Sequence, residues 1–170
     1  GCVSATTDAT QKTVLDYIAE KSRKDLFPVG SLDIDTEGLR LITNDGKLAH
    51  ELLSPKKQMA KTYYARIEGN VTKEDVSLFS QGVDIGEKAL TKPAKLHIMT
   101  SNEISEIELT ITEGKYHQVK RMFEAVGKKV IYLKRISMGP LVLDKTLSPG
   151  QYRRLTNEEV NKLSKSVERN

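Results

Sequence analysis

Residues 94–112 constrain the fold more tightly than any other stretch of this chain. From Ile104 to Thr112 apolar and polar residues alternate, with Ile107, Leu109 and Ile111 on one face. That period of two is what a half-buried strand requires. Ala94 to Met99 is a second strand-like run, and Ser101-Asn102 between the two is a turn, so the pair predicts an antiparallel hairpin. Further strands are expected at Leu39–Thr43, at Thr62–Ile67 ended by Gly69, and at Val130–Ile136 and Leu141–Leu143 on either side of Gly139-Pro140. Gly1 to Ala5 also reads as strand.

Helical spacing is found at Lys47–Leu53, which Pro55 stops, at Lys73–Phe79 after Thr72, and at Tyr116–Val126 before Gly127. Asn44-Asp45-Gly46 is a turn signal. Asp8 or Thr10 caps a short helix through Val14, Leu15 and Ile18, and Thr156-x-x-Glu159 is a capping box that opens a C-terminal helix. These elements do not alternate regularly and their connections are hairpin-like. The expectation is an α+β fold: a mixed, largely antiparallel sheet with flanking helices, in one domain over residues 1–170.

Charge is concentrated rather than spread. Between Lys115 and Arg135 stand seven Lys/Arg and one acid, Glu124, a net +6 within a chain of net +4. Such a segment is either a phosphate-binding surface or a solvated helix face followed by a lysine-blunted strand. Cys2 is the single cysteine, which excludes an internal disulfide and a four-cysteine zinc site and fits a reducing, cytoplasmic setting. No apolar run reaches the length of a membrane span, so no membrane partner is expected.

The stretch from Gly30 to Leu39, Gly-Ser-Leu-Asp-Ile-Asp-Thr-Glu-Gly-Leu, holds three acids spaced by two. A calcium loop beginning at Asp33 needs a bidentate Glu in its twelfth place, where Asn44 stands. An aspartyl phosphatase loop needs Thr where Glu37 stands. His50, His97 and His117 do not cluster with carboxylates at metal-ligand spacing, so no metal and no cofactor is expected.

Gly30 to Leu39 followed by Leu41-Ile42-Thr43-Asn44-Asp45-Gly46 resembles the signature of RsuA-type ribosomal-RNA pseudouridine synthases. Lys61-Thr62-Tyr63 is similar to that family's K-x-Y strand. The run from Glu113 to Phe123 resembles its third motif in the small-subunit form, and Gly1 to Ala5 resembles the tail of its first motif. The resemblance implies the pseudouridine synthase fold with a central RNA-binding cleft. It also implies a catalytic domain whose first motif is shortened and whose small N-terminal RNA-binding module is not in this sequence. The implied activity is isomerisation of a uridine in 16S ribosomal RNA. The partner is ribosomal RNA or a pre-ribosomal particle, and the chain is expected to act as a monomer.

The reaction breaks the bond from ribose C1′ to uracil N1 and remakes it to carbon 5. By resemblance Asp33 is the nucleophile, acting on C1′, on the base or on a ribose proton; the sequence leaves all three routes open. Tyr63 is implied as the aromatic that stacks on the flipped uracil, and Lys120 as the basic partner of Asp33. A helical wheel over residues 116–126 places Tyr116, Val119, Phe123 and Val126 in an apolar stripe with Lys120 at its edge. Ser31, Lys61, Lys115, His117, Gln118, Arg121, Lys128 and Lys129 are the expected RNA-binding residues.

Gly30, Asp35, Thr36 and Gly38 are expected to shape the loop, the glycines by supplying unusual backbone angles. Asp35, two residues beyond Asp33, faces the opposite side if the segment is extended. Ser31 stands where relatives of this type usually carry Arg. The resemblance leaves two alternatives: action on 23S ribosomal RNA, and a non-catalytic RNA-binding assembly factor with the same fold. Asp33, Tyr63 and Lys120 together argue against the second.

Overall fold

The computed structural model of the protein describes residues 2–6, 27–29, 32–33, 35–54 and 56–168. The helix expected around residues 14–18, together with Gly30, Ser31 and Pro55, lies outside the described residues. The chain divides into two compact units, Gly1–Met59 with Arg135–Asn170, and Ala60–Lys134.

The first unit is built on β1 (Cys2–Thr6), β2 (Phe27–Val29) and β3 (Glu37–Thr43). Strand β3 pairs antiparallel with both β1 and β2, and β1 pairs antiparallel with β9 (Tyr152–Arg154). The last residues of β7 (Lys129–Met138) turn at Gly139-Pro140 into β8 (Leu141–Val142), where Ser137 pairs with Val142 and Met138 with Leu141. Helix α1 (Gly46–Leu53) starts directly after β3. The expected turn at Asn44-Asp45-Gly46 is therefore a helix start: Asp45 is the N-cap, and its carboxylate accepts from the Leu48 amide at 2.9 Å.

The unit's core joins Val29, Leu39 and Leu41 to Ala49, Leu52, Met138, Leu141 and Leu163. Leu163 comes from the C-terminal helix, here Asn157–Glu168. That helix begins on the expected capping box: Glu159 accepts from the Thr156 amide at 2.9 Å, and the Thr156 hydroxyl accepts from the Glu159 amide at 3.1 Å. Glu159 also binds Arg153, at 2.8 and 3.0 Å, and Arg153 reaches Asp144 at 2.7 Å. Hydrogen bonds from Arg153 hold the Glu159 carboxyl at about 2. Those from Thr146, then from Arg153, hold Asp144 at about 2.

The second unit orders its strands β5 (Lys95–Thr100), β6 (Ile104–Ile111), β4 (Lys61–Glu68) and the first part of β7. The expected hairpin is β5–β6, antiparallel, with a register shift between Ile98 and Thr100. Ile107, Leu109 and Ile111 are all buried, as their alternation predicts. They pack with Ala65 and Ile67 of β4 against α2 (Lys73–Gln81) and α3 (Gln118–Ala125), where Phe79 and Phe123 meet edge to face at 5.0 Å. Helix α2 opens with a capping box, Thr72 and Asp75. The whole is an α+β fold with mostly antiparallel strands, and among the described residues no helix is long and apolar enough to cross a membrane.

Candidate active site and RNA-binding surface

Asp33 lies in the first unit, half-buried, in the segment that feeds β3. The Thr36 amide donates to the Asp33 carbonyl at 2.9 Å and closes a turn. The segment is thus a turn and not an extended run, so strand alternation does not decide where Asp35 points; Asp35 is exposed. Thr36 is 2% exposed, and its hydroxyl makes no hydrogen bond among the described residues.

Gly38 has φ +119°, a conformation close to glycine-only. A Cβ there would meet the Arg135 backbone, with the carbonyl oxygen 2.2 Å away. The close approach fixes where β3 begins and hence where the acidic turn ends.

Arg135 closes the basic segment in the sequence, yet it is 1% exposed and its Nε donates to the Leu39 carbonyl at 2.9 Å. Burial, and then the charge of Arg135, push the neighbouring Arg40 below its ordinary value. Arg135 is therefore part of the fold around β3 and not of a surface for phosphates.

Tyr63 and Lys120 lie in the second unit. Tyr63 sits on β4, half-buried against the core. Tyr64 faces the other side of the sheet, where its hydroxyl donates to Glu106 and its ring meets Tyr132 edge-on at 5.9 Å. Arg66 stacks over Tyr132 at 4.7 Å. Tyr64 is thus also half-buried and fully engaged, with burial and then the Glu106 bond raising its hydroxyl above the usual range.

The third motif builds itself around Glu113. The Glu113 carboxylate accepts from the Lys92 amide at 2.6 Å and from the Gln118 side chain at 3.1 Å, and pairs with Lys115 at 3.9 Å. Its carbonyl accepts from the Lys61 ammonium at 3.5 Å. A Cβ on Gly114 would stand 3.3 Å from that same ammonium. The lysine of the K-x-Y strand and the first two residues of the third motif are therefore brought together. Sequence reasoning quoted Glu113 without giving it a task; its place at the head of the motif was the available signal.

Gln118, expected at the RNA, is instead 4% exposed: its amide oxygen accepts from the Lys115 amide at 3.0 Å while its nitrogen serves Glu113. Both ends of the side chain are spent on the motif's own backbone and carboxylate.

Helix α3 starts at Gln118, two residues later than its apolar spacing predicts. His117 is the N-cap in the left-handed region, φ +48°, which ends helical geometry at that residue. Tyr116 consequently leaves the apolar stripe and is 74% exposed; the buried face of the helix is Gln118, Val119, Met122 and Phe123. Lys120 remains beside that face, half-buried.

Arg121 is bound to the protein at three points: the Tyr116 carbonyl at 2.8 Å, the Ile85 carbonyl, and Glu87 at 3.0 Å. Lys128 pairs with the buried Asp75 at 2.9 Å, the two side chains 16% and 6% exposed, whereas Lys129 is exposed. Of the basic segment, only part is surface. Among the described residues no group of three or more His, Cys, Asp or Glu is arranged to hold a metal ion.

Comparison with known proteins places both units in one class of fold. A crystal structure of a pseudouridylate synthase matches with a TM-score of 0.86 at 37% identity, over 95% of this chain and 72% of that one. The chain belongs to the RNA pseudouridylate synthase family, whose description matches residues 1–125; it is an isomerase by that membership. It is 52% identical to an uncharacterized RNA pseudouridine synthase of Bacillus subtilis, YtzG, over 96% of this chain and 70% of the relative. It is 45% identical to ribosomal small subunit pseudouridine synthase A of Escherichia coli K12, over 94% of this chain and 68% of that protein.

Proposed function

We propose that this protein converts a uridine of small-subunit (16S) ribosomal RNA to pseudouridine, with Asp33 as the attacking carboxylate. The observation that carries the choice of RNA is the 45% identity, over 94% of the chain, to a relative named for the small ribosomal subunit.

In the proposed reaction the C1′–N1 bond breaks, the uracil turns, the C1′–C5 bond forms, carbon 5 gives up its proton and N1 takes one up. All atoms of the nucleotide are retained, so the protein supplies a carboxylate, a place for the flipped base and a path for one proton. Asp33 acts as the attacking carboxylate, and Lys120 is its basic partner in the proposed chemistry. Tyr63, half-buried on β4, stacks on the uracil and its hydroxyl assists the proton. Lys61, Lys115, His117 and Lys129 contribute to holding the RNA, and Gly38 with Thr36 to holding the turn.

The test offers the chain transcripts of small-subunit and large-subunit ribosomal RNA separately and maps pseudouridine by carbodiimide modification and primer extension. A single new pseudouridine in the small-subunit transcript is expected. Modification confined to the large-subunit transcript would reassign the substrate, and none in either RNA or in pre-ribosomal particles would favour the assembly-factor reading.

A further inference from the structure

The start of helix α3 presents Tyr116, an aromatic side chain that the core leaves exposed. The Tyr116 and His117 rings stack at 3.8 Å with 19° between their planes. Tyr116 is 74% exposed, so it adds little to the core. Its companion is held at φ +48°, a conformation that non-glycine residues adopt at a cost and that clusters at functional sites.

Several hydrogen bonds enforce this arrangement. The Gln118 amide donates to the Lys115 carbonyl at 3.0 Å, the Gln118 side chain accepts from the Lys115 amide at 3.0 Å, and Arg121 grips the Tyr116 carbonyl at 2.8 Å. Arg121 is tied in turn to Ile85 and Glu87. The Val83–Thr91 loop that carries those residues is closed by Thr91, whose amide donates to the Val83 carbonyl at 3.0 Å and whose hydroxyl accepts from the Val83 amide at 2.9 Å.

We propose that Tyr116, backed by His117 and fixed by Arg121, is a stacking platform for an unpaired RNA base next to the target uridine, and so a determinant of which uridine is modified. The neighbouring charge suits a polyanion: Lys115 and Lys120 lie within the same short segment, and α3 has no acidic residue in its first turn. Stacking on an exposed aromatic tolerates any base and is a common means of holding single-stranded RNA. Lys120 stands in the first turn of the helix that the pair opens, so a base held on Tyr116 is held close to a proposed catalytic residue. Arg121 acts here as a positioning residue and not as an RNA contact.

The inference rests on the reading of the chain as an RNA-modifying isomerase, and its test separates the two. The full chain is titrated with short single-stranded oligouridylates carrying one 2-aminopurine at successive positions, and fluorescence quenching reports stacking. Quenching at one position is expected for wild type and for Tyr116→Phe. For Tyr116→Ala the quenching is lost and Kd rises roughly 5- to 150-fold, the loss expected on removing one base–aromatic stack. On small-subunit ribosomal RNA, Tyr116→Ala is expected to raise KM by a similar factor, with the rate at saturating RNA changed far less.

Asp33→Asn retains full quenching, so failure of catalysis and failure of the platform are read independently. Unchanged thermal unfolding of Tyr116→Ala, expected for so exposed a ring, shows that folding is not the cause. Quenching and affinity that are the same in wild type and Tyr116→Ala, or no quenching by wild type at any position, would overturn the platform.

Discussion

Replacing Gly38 with alanine should damage this protein more than any other single methyl group added to a glycine for which contacts are known. Two costs combine. The backbone sits at φ +119°, which costs a non-glycine residue about 1–3 kcal/mol. The new Cβ would also lie 2.2, 2.6 and 2.9 Å from the carbonyl oxygen, nitrogen and carbonyl carbon of Arg135. These are backbone atoms, so no rotamer change relieves the overlap, and β3 must move from β7 by about 1 Å to restore ordinary contact. Overpacking of that kind costs about 1–3 kcal/mol.

Together the loss is about 2–6 kcal/mol, a large part of the roughly 5–15 kcal/mol that stabilises a typical protein. For a chain of this size the melting temperature should fall by roughly 5–20 °C. Gly127→Ala is the control: its φ is +76°, but nothing lies within 4 Å of the added Cβ, so only the backbone cost of about 1 kcal/mol remains. Thermal unfolding followed by circular dichroism compares the two variants. If Gly38→Ala melts no lower than Gly127→Ala, the close packing of β3 on Arg135 is not what holds the acidic turn in place.

Three further outcomes are expected. Lys128→Met should lower thermal stability measurably, because it strands the 6%-exposed Asp75 carboxylate, while Lys129→Met should not; equal melting temperatures would show the Lys128–Asp75 pair to be dispensable. Glu159 and Asp144 are held at about 2, below the ordinary carboxyl range, so Arg153 contributes stability that is present above about pH 4.5 and is lost as pH falls towards 2. The gap in melting temperature between wild type and Arg153→Gln should therefore be widest near neutral pH and close in acid, and a gap constant with pH would refute it. On the proposed mechanism, Lys120→Met should cut turnover by removing the charge assigned to the basic partner of Asp33. Lys120→Arg should retain much of the activity, and single-turnover rates of the Met variant equal to wild type would remove Lys120 from the chemistry.

The parts of this molecule that were legible in its sequence are those set by local rules. The hairpin at Ala94–Thr112 follows from period-two alternation, the C-terminal helix from its Thr156–Glu159 capping box, and the positive φ of Gly38 from its place in the loop motif. What escaped depends on partners distant in sequence. Strand β9 has three residues and exists because it pairs with β1, which no periodicity over three residues can announce.

Apolar spacing carried the third helix back to Tyr116, but one left-handed residue, His117, starts it later and turns Tyr116 outward. The run of basic residues suggested one charged surface. Arg135 lies inside against Leu39, Lys128 is tied to Asp75, and Arg121 to Ile85 and Glu87. Charge counts carry no information about which guanidinium or ammonium groups the fold itself employs. Gln118 is engaged in the same way: only the position of Glu113 shows that its amide is already committed.

The measurement that bears most directly on the central claim is single-turnover pseudouridine formation by Asp33→Asn on small-subunit ribosomal RNA, beside wild type. The change replaces a carboxyl oxygen with an amide nitrogen of the same shape at a half-buried position, so thermal stability and RNA affinity should remain near wild type. No pseudouridine above background is expected at any time measured. Formation of pseudouridine by the Asn variant at the wild-type rate would contradict it and remove Asp33 as the nucleophile.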